Sequence, residues 1–194
     1  MKIIEQSATC IVSVNPAEIY FKLERCGRVS HQSESNGKPE EFIRKLISWG
    51  HESVLEHVSL TFHIVTDRAI QNELVRHRHA SFTVESTRYV NYDELIFIKP
   101  VRGHIAFEEV FAHIERAYRE MLSDGIKPEQ ARAVLPLCLK SELYMTANLR
   151  EWRHILKLRT SKAAHPQMRQ LMNQILQFFR ANLPVIVEDL EVAP

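Results

Sequence analysis

The sequence predicts a mixed α/β fold, and three stretches carry that prediction. From Val58 to Thr66 the apolar Leu60, Phe62 and Ile64 alternate with Ser59, Thr61 and His63, the period of a strand with one buried face. From about His104 to Ser123 Phe107, Phe111, Ile114, Tyr118 and Met121 recur at helical spacing, and Met168, Leu171, Met172, Ile175 and Phe179 do so after Pro166. With 194 residues, 45% of them hydrophobic, the span 1–194 is large and apolar enough to read as one domain with a real core.

Taken in order, Lys2 to Val14 is rich in β-branched residues and reads as extended. Asn15-Pro16 is a cap followed by proline at the first helical position, opening a helix to about Cys26. Ser30 to Lys38 reads as a loop. Pro39 starts a second helix with the stripe Phe42, Leu46, Trp49, which Gly50 stops. Asp67 can cap a helix from Arg68 to about His77, and Tyr89 to Ile98 reads as strand-like, stopping before Pro100. Asp124-Gly125 ends the long helix; Lys127-Pro128-Glu129 opens a short one carrying Arg132, closed by Pro136. Cys138 to Thr146 reads as a further strand, and Asn148 caps a helix running to Arg159.

Composition removes several classes of function. The formal charge of +1 gives no global basic field of the kind that drives non-specific nucleic-acid binding, so any anion site is local. Cys10, Cys26 and Cys138 are far apart and include no Cys-x-x-Cys pair, which argues against a disulfide framework and a structural zinc site and suits a reducing cytoplasm. No basic region followed by an apolar run opens the chain, and no apolar run has the length of a membrane span, so neither export nor membrane insertion is expected. With only 5 glycines and no Gly-x-Gly-x-x-Gly, a Rossmann domain is excluded.

One stretch concentrates chemistry. Arg76 to Tyr89 reads Arg-His-Arg-His-Ala-Ser-Phe-Thr-Val-Glu-Ser-Thr-Arg-Tyr and begins on the last turn of an expected helix before continuing as a loop. Guanidinium groups pair with phosphate oxygens and keep their proton at working pH. Ser86 and Arg88, two apart, would face the same side of an extended segment, where one phosphate could meet both. His77-x-His79, or His51 with His57, invites a metal reading, but there is no His-Glu-x-x-His; no metal is expected.

This stretch, Arg-His-Arg followed by seven residues and Ser86, then Thr87-Arg88-Tyr89, resembles the signature of the flavin-dependent thymidylate synthases. Further stretches resemble the same family in the same order: Arg28-Val29-Ser30; His51 to His57 running into Thr61-Phe62-His63; and Ala131-Arg132 to Leu137 leading to Asn148 and Leu158-Arg159. The resemblance implies a small antiparallel sheet flanked by long helices, an α+β arrangement assembled as a homotetramer with active sites between subunits. It implies FAD as cofactor, dUMP as substrate, methylenetetrahydrofolate as carbon donor and NADPH as electron donor. By family position Glu73, Arg76, Val84, Glu85, Ser86, Thr87, Arg88, Arg132 and Arg159 contact dUMP, and His51, Ser53, Arg76, His77, Arg78, Asn148, Arg150 and His154 lie on the FAD side. Arg159 is the expected catalytic cation, placed beside the uracil edge where it favours the enolate-like form. The other route to uracil methylation adds a cysteine thiolate, but Cys138 lies in an apolar Pro-Leu-Cys-Leu-Lys and neither Cys10 nor Cys26 has an obvious basic partner, so all three read as structural.

The chain departs from the family pattern in two side chains. Val54 stands where many members have proline, and Val84 where Glu or Gln is common; the chain is also shorter than most members, mainly after Tyr92 and at the C-terminus. His165 sits in the family's Ala-His-Pro pattern without an evident chemical role. Two rival readings use the same residues: a nucleic-acid-binding module with these arginines on a phosphate backbone, and an inert relative that binds flavin or nucleotide as a sensor.

Overall fold

The computed structural model describes residues 1–90, 92–104 and 106–190, and an alternating strand lies at its centre. Strands β1 (Lys2–Ile4) and β2 (Ser7–Cys10) precede helices α1 (Pro16–Arg28) and α2 (Pro39–Ser48). A tight helical turn, Glu52–His57, leads into β3 (Ser59–Asp67), α3 (Arg68–Leu74) and β4 (Ala80–Val84). After β5 (Ile96–Ile98) come α4 (Ala106–Ser123), α5 (Pro128–Ala131) with a further turn over Arg132–Val134, β6 (Lys140–Asn148), α6 (Leu149–Arg159), α7 (Pro166–Asn182) and α8 (Pro184–Val187).

The four-stranded sheet runs in the order β2-β3-β6-β4 with every pairing antiparallel. Leu60, Phe62 and Ile64 of β3 and Leu143, Met145 and Ala147 of β6 share one buried face, as strand alternation requires. Helices α6 and α7 cover it: Trp152 donates its indole N–H to Leu60 O at 3.1 Å, and Phe62 meets Trp152 and Phe178 edge to face at 5.0 and 5.2 Å. Met168, Leu171, Met172, Ile175 and Phe179 are all fully buried, as their spacing predicts. A smaller cluster of Leu95, Phe97, Phe111, Tyr118, Ala131 and Leu139 sits under α4, with Phe97 stacked on Phe111 at 4.2 Å.

Side-chain caps set the elements that matter for function. Asp67 Oδ1 accepts the Ile70 N–H at 2.8 Å and starts α3, while its Oδ2 accepts from Gln167 Nε2 at 2.7 Å and ties that start to α7. Asn148 Oδ1 caps α6 through Glu151 N at 2.8 Å, and Asn15 caps α1. His165 finds its role here, since its Nδ1 accepts from Gln167 N at 3.3 Å and caps α7.

Several sequence expectations are corrected. The α2 stripe centres on the fully buried Ile43, whereas Trp49 is 56% exposed, with the Lys45 ammonium over its ring. Phe107 lies on the outer side of α4. Helix α3 ends at Leu74, so Arg76 and His77 follow it in a turn rather than ending it, and the middle of the signature is the strand β4 rather than a loop. Residues 86–90 form a turn, with Tyr89 N and Val90 N both donating to Ser86 O, so the extended Ser86/Arg88 arrangement does not occur. Only Ile96–Ile98 of the expected 89–98 strand forms, and it pairs in parallel with β1, an arrangement apart from the main sheet. Residue 91 of that expected strand, residue 105 of the expected long helix and residues 191–194 of the span 1–194 lie outside the described residues.

Candidate active site

At the start of the signature, α3 and α6 bring Glu73, His77 and Arg159 together. Arg159, the last residue of α6, donates from Nη1 to Glu73 Oε2 at 2.8 Å, from Nη2 to Glu73 O at 3.4 Å and from Nε to His77 Nε2 at 3.1 Å. Three bonds from the five N–H donors of a guanidinium leave two for a ligand. A guanidinium cannot accept, so His77 Nε2 carries the lone pair and Nδ1 the proton, which faces Glu151 Oε1 at 3.6 Å. Burial, with the charges of Arg159 and His154 adding to it, pushes the His77 pKa down to about 4, so the ring is neutral at working pH.

The far end of the signature is held apart from this cluster by β4. Arg132 Nη1 reaches Thr87 Oγ1 at 3.4 Å, Arg88 Nε reaches Glu129 Oε2 at 3.4 Å, and the Arg88 guanidinium lies over the Tyr89 ring at 5.2 Å. Ser86 Oγ accepts the Arg88 N–H at 3.3 Å, a local turn bond that uses one lone pair only. The Glu85 carboxylate is engaged inside the protein: Oε1 accepts from Tyr92 Oη at 2.8 Å, and Oε2 meets Lys140 Nζ at 3.0 Å and Glu142 N at 3.1 Å. Glu85 braces this end, its backbone N–H also donating to Glu142 O at 2.8 Å. Val84 is half-buried and pairs with Leu143.

Arg76, Arg78 and His79 are exposed, and among the described residues neither arginine is in an ion pair, unlike Arg88 and Arg159. Beside them a groove of about 990 Å³ is lined by His79, Asn148, Arg150, Arg153, His154 and Lys157 and by the acids Glu52, Glu56, Glu151 and Asp189. Asn148 uses its carbonyl as the helix cap and so keeps its amide N–H groups for the groove. Arg150 pairs with Glu56 at 2.6 Å, an exposed contact that a phosphate can displace. His51 and Ser53, both exposed, stand at the start of the Glu52–His57 turn, which α6 fastens through Glu56 and Glu52.

Sequence reasoning missed Glu151. Glu151 and His154 are one helical turn apart after the Asn148 cap, and the fold adds His77; their ligand atoms lie within 4.8 Å, the one group among the described residues able to hold a metal ion. Helical spacing from Asn148 could have found the Glu151–His154 pair, though not its partner from α3's end. The Arg159 guanidinium on His77 works against a dication there. Burial pushes the Cys10 and Cys138 thiols up, which disfavours the thiolate.

An α+β sheet with a histidine–arginine signature along its edge strand and a donor-lined groove beside it defines a class of anion-binding, cofactor-sized site. Residues 11–185 match the family model described as thymidylate synthase complementing protein, and the chain belongs to that family. It is 34% identical over 194 residues to a probable flavin-dependent thymidylate synthase of Mycobacterium phage L5, covering 90% of this chain and 80% of that one. It is 36% identical over 157 residues to the flavin-dependent thymidylate synthase of Geobacter sulfurreducens, covering 76% and 68%. Among solved structures, the UMP/dUMP methylase PolB from Streptomyces cacaoi bound with 5-Br dUMP superposes with a TM-score of 0.84 at 25% identity, over 97% of this chain and 96% of that one.

Proposed function

We propose that this chain, residues 1–194 forming one catalytic domain, methylates dUMP to dTMP with methylenetetrahydrofolate as carbon donor and NADPH as electron donor through FAD. Family membership makes it a flavin-dependent methyltransferase, and its relatives named above and the nucleotide-bound methylase support the substrate class. The observation that carries the reading is Arg159, fixed by Glu73 and His77 with two donors to spare. A bound flavin supplies the reducing equivalents.

The chain's own residues do the rest. Arg159 presents permanent positive charge to the uracil edge and stabilises the negative charge that grows on the ring, a task a raised thiol such as Cys138 is poorly placed to replace. Glu73 and the neutral His77 hold that guanidinium in register. Arg76, Arg88 and Arg132, with Ser86 and Thr87, grip phosphate and sugar. The groove offers Arg150 and Lys157 for the pyrophosphate and Asn148 and His154 for hydrogen bonds; Arg78, His51 and Ser53, all exposed, join the flavin side by family position. Strand β4, five residues and roughly 13 Å from end to end, lies between the His77–Arg159 cluster and the turn carrying Arg88, which favours sites completed by a second chain in a homotetramer. No helix among the described residues is long and apolar enough to cross a membrane.

Purified protein should carry a flavin absorption band and release tritium from C5-labelled dUMP when reduced flavin and methylenetetrahydrofolate are supplied. Arg159→Ala should bind flavin and lose release by at least about a hundredfold, as for removal of one oxyanion-type donor. Wild-type turnover in that variant would refute the role of Arg159, and a colourless protein with salt-steep polynucleotide binding would favour a nucleic-acid module.

A further inference from the structure

Arg153 is a buried cation that the proposed reaction does not use. Its side chain is only 6% exposed, yet each of its N–H donors has an acceptor. Nε and Nη2 reach Glu52 Oε1 at 3.3 and 3.1 Å, Nη1 and Nη2 reach Asp189 Oδ1 and Oδ2 at 2.7 and 2.8 Å, and Nη1 also donates to the Ile186 carbonyl. Burial works against the charge, but the Asp189 and Glu52 carboxylates outweigh it and hold the pKa above its ordinary value.

A buried ion pair is a poor source of stability, because desolvation offsets the attraction and an apolar side chain of similar volume often does as well. What a fully satisfied guanidinium supplies is direction. Glu52 opens the Glu52–His57 turn, between His51 and Ser53. Val54 and Leu55 anchor the turn's inner side by burial, which is non-directional. The Glu56–Arg150 pair on its outer edge is about half exposed and therefore weak. Of the turn's side-chain ion pairs among the described residues, Glu52–Arg153 is the less exposed, at 27% and 6%, and the backbone bond from His51 N to Leu46 O at 2.8 Å fixes the turn's entry.

We propose that Arg153 is a positioning residue: itself in the lining of the flavin groove, it holds through Glu52 the turn that follows His51 and puts Glu52 and Glu56 in the groove wall, while its bonds to Asp189 and Ile186 fasten the segment after α7. The inference rests on the flavin reading of that groove. It separates two functions of one side chain, and the two acids allow each to be cut alone.

Flavin affinity, read by fluorescence titration of apoprotein with FAD, and melting temperature are measured for the wild type, Glu52→Ala, Glu52→Gln and Asp189→Asn. Glu52→Ala should weaken FAD binding by about tenfold or more with a small change in melting temperature. Glu52→Gln, which keeps the Oε1 acceptor, should recover most of that affinity. Asp189→Asn, which keeps the Oδ1 acceptor for Arg153 but also changes a groove-lining acid, should lower the melting temperature and weaken FAD binding less than Glu52→Ala does. The proposal is overturned if Glu52→Ala binds FAD like the wild type, if glutamine gives no recovery, or if affinity in both acid variants simply tracks melting temperature. A wild-type protein that binds no FAD would sink the flavin reading itself, and this inference with it.

Discussion

His77 and Arg159 share a hydrogen bond that only a neutral imidazole can accept, and this sets a pH dependence. The folded-state pKa lies at about 4, against about 6.5 in the unfolded chain. Below pH 6.5 the unfolded state therefore takes a proton that the folded state refuses, so the contribution is intact above 6.5, falls away down to about 4 and levels off below it. His77→Gln should flatten the stability profile between pH 6.5 and 4 relative to the wild type, measured by urea unfolding at a series of pH values; parallel profiles would contradict it. At this scale the sequence showed the cations well, because Arg-His-Arg and Leu158-Arg159 are contiguous motifs. It hid two of their partners, Glu151 facing the neutral His77 and Glu129 pairing with Arg88, which come from other elements, and the internal engagement of Glu85 depends on Tyr92 and Lys140 arriving from elsewhere in the chain.

At the scale of elements, cap chemistry was the most legible feature, since Asn15, Asp67 and Asn148 each cap the helix that follows them. Strand β4 was harder to see. Ala80, Phe82 and Val84 do alternate with Ser81 and Thr83, but as an edge strand with one neighbour it buries none of them completely. The clustered charge before it suggested a loop. Where α3 begins decides where that signature falls, and Asp67 holds the beginning in two directions. Asp67→Ala removes a helix cap worth about 1 kcal/mol and leaves the buried Gln167 amide unpaired at about 1–3 kcal/mol. A loss of about 2–4 kcal/mol is expected in urea unfolding. Asp67→Asn, which can still cap, should lose less; equal losses would show that the cap bond contributes nothing.

For the molecule as a whole, the sheet order β2-β3-β6-β4 puts the signature on an edge, with one end at Arg159 and His77 and the other at Arg88 and Arg132. A five-residue strand between them spans roughly 13 Å, longer than a single phosphate or pyrimidine can bridge. The residues proposed to meet one nucleotide thus lie at opposite ends of a strand within a chain, while Arg76 and Arg78 project unpaired among the described residues. In the proposed homotetramer, rotational symmetry would set the Arg88 end of one chain against the Arg159 end of another. The test is complementation. Arg88→Ala and Arg159→Ala chains, each inactive alone, are co-expressed with different tags and purified as mixed oligomers. If each site takes its two arginines from different chains, random mixing restores one intact site in four, about a quarter of the wild-type rate. If both arginines belong to one chain, every site in the mixture lacks one of them, tritium release stays at the level of the single variants, and the shared-site assembly is wrong.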